Sequence, residues 1–156
     1  MLEHLKDLAS NYVLIATLSG WFSAQFFKML VTLIKDKSLD LRLMLFSTGG
    51  MPSSHSSTVC SLFSASAILY GFGSFQFAVC FTLAVIVMTD AVGVRQETGK
   101  QAKILNRIIE EMFSGDHEKS EKALKELVGH TPFQVAMGAL VGIGTAITVA
   151  FLMNVL

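Results

Sequence analysis

Long stretches without a charged side chain alternate along the chain with short charged connections, and their lengths predict membrane-crossing helices. Leu8 to Phe27 carries no charge, and beyond Lys28 the apolar character resumes through Ile34, which meets the ~20 residues that a membrane helix needs. Leu43 to Thr89 is a run of 47 residues free of Asp, Glu, Lys and Arg. At the helical rise that run is about 70 Å long, two crossings joined by a turn. YGFGS, Tyr70 to Ser74, supplies the turn with two glycines. Phe133 to Leu156 adds 24 more uncharged residues. The pattern therefore predicts an all-α integral membrane bundle of about four transmembrane helices, at about 8–34, 52–70, 75–90 and 133–156, in one domain spanning 1–156.

Residues 91–131 change character and read as a helical insertion outside the bilayer. Ile104, Leu105, Ile108, Ile109 and Met112 recur at helical spacing opposite Arg107, Glu110 and Glu111. This is the signature of an amphipathic helix lying on the membrane or on the bundle. A second short helix is expected from about Glu118 to Val128, where Glu118/Lys122 and Glu121/Lys125 sit four apart in the favourable order of a solvated face.

Composition agrees with this picture: 52% of side chains are hydrophobic and 15% charged, whereas ordinary soluble domains carry about 25% charge. The 12 Lys and Arg cancel the 12 Asp and Glu, so nothing in the charge balance points to nucleic acid. The positions of the charges are more informative than their sum. Lys35, Lys37 and Arg42 follow the first span and seven basic residues, Arg95 to Lys125, follow the third; these two connections share a side in a four-span chain. The other side has only Lys6, which places the charged side in the cytoplasm of a multi-pass cytoplasmic membrane protein, with both termini outside. MLEHLKDLAS has no small-residue cleavage site after it and does not read as a removable signal peptide. Cys60 and Cys80 lie in apolar runs without CxxC spacing and read as packing residues. Four short spans give a thin core, which leaves room for a homo-oligomer.

On this map the unusual polar residues fall at one mouth of the bundle. Lys28 is near the exit of span one, STGGMPSSHSS with Ser53, Ser54 and His55 opens span two, Asp90 and Arg95 close span three, and GHTPFQ with Gly129, His130 and Gln134 opens span four. Ionisable groups at membrane depth cost a few kcal/mol unless they have partners or a task. Each group also has a bland explanation. Pro52 suits the first position of a helix, and Gly49-Gly50 a tight turn. Thr131 to Gln134 reads as a capping box, with Thr131 as cap and Gln134 reaching back. Asp90 and Arg95 suit an ion pair at a helix end, and Lys28 can snorkel to the interface. Gly138 and Gly142 form a GxxxG spacing that favours close helix packing.

Taken jointly, the same residues suit an anion. The starts of spans two and four would aim free N–H groups and positive dipole ends at one pocket, and Lys28 and Arg95 would add full charges. Phosphate is the anion that best fits. Of two histidines there, one neutral imidazole can attack phosphorus while the other, protonated, donates to the leaving oxygen. That scheme calls for no metal or other cofactor. Metal chelation by the histidines and Asp90 is the competing reading, without a recognisable ligand spacing. A transporter subunit is a third, disfavoured because the polar groups cluster at one mouth rather than along a path across the bilayer.

AQFFK (Ala24 to Lys28), STGGMPSSHSS (Ser47 to Ser57), DAVGVR (Asp90 to Arg95) followed by GKQA and by Leu105-Asn106, and ELVGHTPFQV (Glu126 to Val135) closely resemble the divergent branch of the type 2 phosphatidic acid phosphatase family, in order and over nearly the whole chain. That branch is grouped with lipid phosphatases and vanadium haloperoxidases by its histidine motifs. The resemblance implies a membrane phosphatase-like protein, a metal-independent hydrolase of a lipid or isoprenoid phosphoric ester or diphosphate. It matches His130 to the nucleophile that is transiently phosphorylated and His55, in Pro52-Ser53-Ser54-His55, to the general acid. Lys28, Ser53, Ser54, Arg95 and Gly129 would then hold the phosphate, with Asp90 and Gln134 in support. The chain departs from the pattern at Gln134, where the branch usually has Glu, and at Gln96, where it tends to have a second arginine. The amide favours an alternative, a non-catalytic membrane protein that binds phosphate-containing headgroups or a protein partner.

Overall fold

A computed structural model of the chain describes residues 2–36, 50–112 and 130–156. The described residues are all-helical: α1 (Leu2–Ala9), α2 (Tyr12–Asp36), α3 (Ser54–Tyr70), α4 (Phe75–Val92), α5 (Val94–Met112) and α6 (Pro132–Leu152). The helix expected at 118–128 and the basic connection at 37–49 lie outside the described residues.

Most helix ends follow from short polar side chains placed where backbone donors would otherwise be orphaned. Asn11 Oδ1 accepts the Leu14 N–H at 3.1 Å, which starts α2 anew after α1. The first span therefore begins at Tyr12 rather than near residue 8. Ser53 caps α3, so Pro52 lies before the helix rather than at its first position. Ser74 Oγ accepts the Phe77 N–H at 3.1 Å and opens α4 directly after the 71–74 turn. Thr131 caps α6 in a complete capping box with Gln134, as the sequence pattern predicts. Between α4 and α5 only Gly93 intervenes, and helical bonding runs through it, from Gly93 N–H to Thr89 O at 2.8 Å and from Glu97 N–H to Gly93 O at 3.1 Å. Ile104, Leu105, Ile108 and Met112 of α5 are exposed, while Ile109 is half-buried.

Three helical stretches, Tyr12–Ile34, Phe75–Ile109 and Pro132–Leu152, are long and apolar enough to cross a membrane. The four-span expectation falls short at α3, which has 17 residues, six of them serine. Yet α3 is the central element, packed against α2, α4 and α6. Its small side chains explain this. In lipid, helices associate through close backbone approach rather than through a hydrophobic driving force. A Cβ at Gly138 would collide with the Ser53 carbonyl oxygen, and one at Gly142 with that of Ser57, so the GxxxG spacing of α6 is a true seam against α3. On α2 the buried residues Tyr12, Ala16, Gly20, Ala24 and Lys28 form one row at intervals of four, a single face of the helix. Ser57 Oγ donates to Gly20 O at 2.7 Å and Ser61 Oγ to Gly142 O at 2.9 Å, which joins α2, α3 and α6.

These contacts fix the chain directions. Ser53, Ser57 and Ala65 of α3 meet Gly138, Gly142 and Ala146 of α6 in the same order, so the two helices are parallel. Tyr12, at the start of α2, donates through its hydroxyl to Ala146 O at 3.0 Å, near the far end of α6, so α2 is antiparallel to both. Phe63 contacts Phe77 and Phe81, and Cys60 Sγ lies 3.7 Å from Met88 Sδ, so α4 runs back along α3. The starts of α3 and α6 thus share one end of the bundle with the C-terminal parts of α2 and α4.

Candidate functional site

That end holds Lys28, Ser53, Ser54, His55, Asp90, His130 and Gln134. Ser53 N–H donates to the Gln134 backbone carbonyl at 3.1 Å and so ties the entry of α3 to the first turn of α6. Ser53 and Ser54 are buried; Ser53 Oγ accepts from Ser56 N–H at 3.4 Å and from Ser56 Oγ at 3.0 Å, and Ser54 O accepts from Thr58 Oγ1 at 2.7 Å. The Ser53 hydroxyl and both carbonyls are thus engaged in building the helix start. His55, in the first turn of α3, is half-buried, with its Nδ1 atom shielded from solvent.

His130 is the largest fully buried side chain in the structure, at 2% exposure. The His130 backbone N–H donates to Ala91 O at 3.2 Å, which docks the residue on the last turn of α4 beside the half-buried Asp90. Its Nδ1 lies 3.3 Å from Gln134 Oε1, and the same oxygen accepts the Thr131 N–H at 3.0 Å. The side-chain oxygen of Gln134 thus closes the capping box and contacts the histidine at once.

Lys28 is 4% exposed, one and a half turns inside the end of the α2 span at Ile34. Its methylene stem lies against Gly50, where a Cβ would sit 3.4 Å from Cγ and Cδ, and where φ is +97°. The conformation suits glycine, while the contact itself is an ordinary van der Waals one. Because Gly50 stands three residues before Ser53, this contact brings α2 to the entry of α3. Arg95 lies in the first turn of α5, one turn beyond Asp90 and Ala91, while its side chain and all of Gly129 are outside the described residues.

The contacts therefore link Lys28 to the α3 entry, that entry to Gln134, and Gln134 to His130 and the end of α4. Two participants were not among the sequence candidates. Gln25 is 5% exposed, one turn before Lys28, and its Oε1 is buried. An amide one turn before a lysine within an uncharged stretch was the available signal. Gly50 had no local signal beyond its glycine pair, because its role depends on a contact with a residue 22 positions away. Among the described residues no group of three or more His, Cys, Asp or Glu side chains is arranged to hold a metal ion.

Comparison with known proteins agrees with the motifs. Residues 9–145 match the family model described as Divergent PAP2 family. The chain is 36% identical over 155 residues to the uncharacterized membrane protein YuiD of Bacillus subtilis (strain 168), covering 93% of this chain and 98% of that one. No solved structure matches it. The apolar helices and these similarities together identify an integral membrane protein that belongs to the Divergent PAP2 family.

Proposed function

We propose that this protein is a phosphatase that hydrolyses a lipid or isoprenoid phosphate through a phosphorylated His130, with His55 as the acid. The observation that carries the reading is the hydrogen bond from Ser53 N–H to Gln134 O, 3.1 Å, which joins the two histidine-bearing helix starts at one end of the bundle. Family membership supports the same chemistry.

In this mechanism the positive dipole ends of α3 and α6, with Lys28 and Arg95, offset the charge on the phosphoryl oxygens in a loose transition state. The Nε2 lone pair of neutral His130 attacks phosphorus as the phosphorus–oxygen bond to the leaving group breaks. Protonated His55 gives its proton to that departing oxygen. Neutral His55 then takes a proton from water, whose oxygen attacks phosphorus and breaks the nitrogen–phosphorus bond. Phosphate leaves and both rings return to their starting states. An apolar substrate tail suits the exposed Phe26 and Phe27 beside Lys28 and Phe133 beside Gln134, which face lipid next to the site.

The reading includes α3 as a fourth crossing and a site on the cytoplasmic side. Ten basic residues in the connections at that side against one at the other favour this orientation. Gln134 supports the second reading, a headgroup- or partner-binding protein without turnover. Phosphate release from a panel of lipid and isoprenoid phosphates separates the two. Wild-type protein in nanodiscs is expected to release phosphate, and His130→Ala and His55→Ala to lose it by about 100-fold or more; full activity in both variants refutes the mechanism.

A further inference from the structure

Three of the connections that Gln134 makes pass through its two oxygen atoms. Its backbone carbonyl takes the Ser53 N–H, and its side-chain Oε1 takes the Thr131 N–H while lying 3.3 Å from His130 Nδ1. The Thr131 N–H can only donate, so it identifies the atom facing it as the amide oxygen rather than the nitrogen. A carbonyl oxygen has two lone pairs and accepts both contacts. His130 Nδ1 must then be the donor, which leaves the lone pair of a neutral ring on Nε2. The oxygen is a dipole end and not a full charge, so it orients the ring without stabilising the imidazolium as a carboxylate would.

We propose that Gln134 is a charge-neutral positioning residue: one amide oxygen closes the cap of α6 and holds His130 as the Nδ1–H tautomer, so the site keeps a neutral, nucleophilic imidazole to lower pH than a carboxylate at this position would allow. The role of Nε2 as nucleophile rests on the phosphatase reading, but the tautomer and its titration do not. At this end of the bundle the other titratable or charged residues are Lys28 of α2, His55 of α3 and Asp90 of α4, with Arg95 following at the start of α5. They are common to wild type and Gln134 variants, so a comparison of variants isolates the group at position 134.

Glu is the informative replacement, because it retains both acceptor contacts, fits the capping box equally well and adds only charge. The full chain, labelled with 15N-histidine in nanodiscs, contains four histidines, and the signal lost in His130→Asn identifies His130. In wild type, Nδ1 is expected to carry the proton and Nε2 the lone pair. In Gln134→Glu, the His130 titration midpoint should rise by about 1 to 3 pH units. Any acidic limb of phosphate release would move up with it, because the neutral ring is then populated only at higher pH. Gln134→Met, which keeps the volume and removes the acceptor, should relax the tautomer preference. A wild-type ring protonated at Nε2, or a midpoint unchanged in Gln134→Glu, overturns the proposal. The expected tautomer and titration without turnover on any substrate would uphold the positioning role and sink the phosphatase reading instead.

Discussion

Helices α3 and α4 are neighbours in sequence and nearly equal in length, 17 and 18 residues, yet their surroundings are opposite. Nine residues of α3 are buried, five of them serines among Ser54 to Ser64 and a sixth at Ser66, whereas α4 buries only Ala84 and Ala91. The large side chains of α4, among them Val79, Leu83, Val85 and Ile86, are exposed on the outside of the bundle. In water this would be an inside-out protein. In a bilayer the apolar surface has no reason to hide, and small polar side chains are placed inside, where backbones approach closely and hydroxyls such as those of Ser57 and Ser61 reach carbonyls of neighbouring helices. The buried seam among α2, α3 and α6 also leads, at one end, to Lys28, the α3 entry and His130. The same close packing that holds the helices together positions the site.

Substitutions on the two helices and their partners should therefore differ sharply. Gly142→Leu drives a branched side chain into the Ser57 carbonyl oxygen and the Cys60 Cβ, backbone and near-backbone atoms that cannot turn aside. The expected cost is about 3 kcal/mol or more, at or above the usual range for overpacking, read as a large drop in the midpoint of denaturant-induced unfolding in mixed micelles. A midpoint near wild type would mean that α3 and α6 are not in backbone contact. Ser61→Ala removes one interhelical hydrogen bond, Ser61 Oγ to Gly142 O, and should lose about 0.6 kcal/mol in the same titration. Ile86→Ala on the exposed face of α4 should change stability by no more than about 0.5 kcal/mol. An effect at Ile86 larger than that at Gly142 would reverse the assignment of inner and outer faces.

Much of this arrangement was legible in the sequence, for identifiable reasons. Absence of charge over long runs marked the apolar helices, paired glycines marked the 71–74 turn, and Thr131-Pro132-Phe133-Gln134 marked the α6 cap because each uses a local signal. The parity of crossings then placed Lys28, His55, Asp90 and His130 at one end. The break at Asn11 was passed over because Leu8 to Phe27 carries no charge; the local signal was Asn11 itself, whose side chain accepts the Leu14 N–H and separates α1 from α2. Pro52 suggested a helix start by its ring geometry, but the Ser53 side chain, which accepts the Ser56 N–H, caps the helix and sets its first residue at Ser54, two positions later. The central position of α3 was harder still to see. Hydropathy treats serine as indifferent, whereas packing against Gly20, Gly138 and Gly142 depends on serine being small. The contact of Gly50 with Lys28 and the burial of Gln25 are products of the assembled bundle and have no signature over a few residues.

The central claim is that the seam ends in a histidine that takes up phosphate covalently. Rapid alkaline quench of the full-length protein with a substrate labelled in its phosphoryl group, followed by digestion and peptide identification, tests that claim most directly. The account predicts an acid-labile, alkali-stable phosphoryl group on His130, absent from His130→Ala and accumulating when His55→Ala slows its hydrolysis. Turnover with the label on another residue, or turnover that persists in His130→Ala, would contradict it.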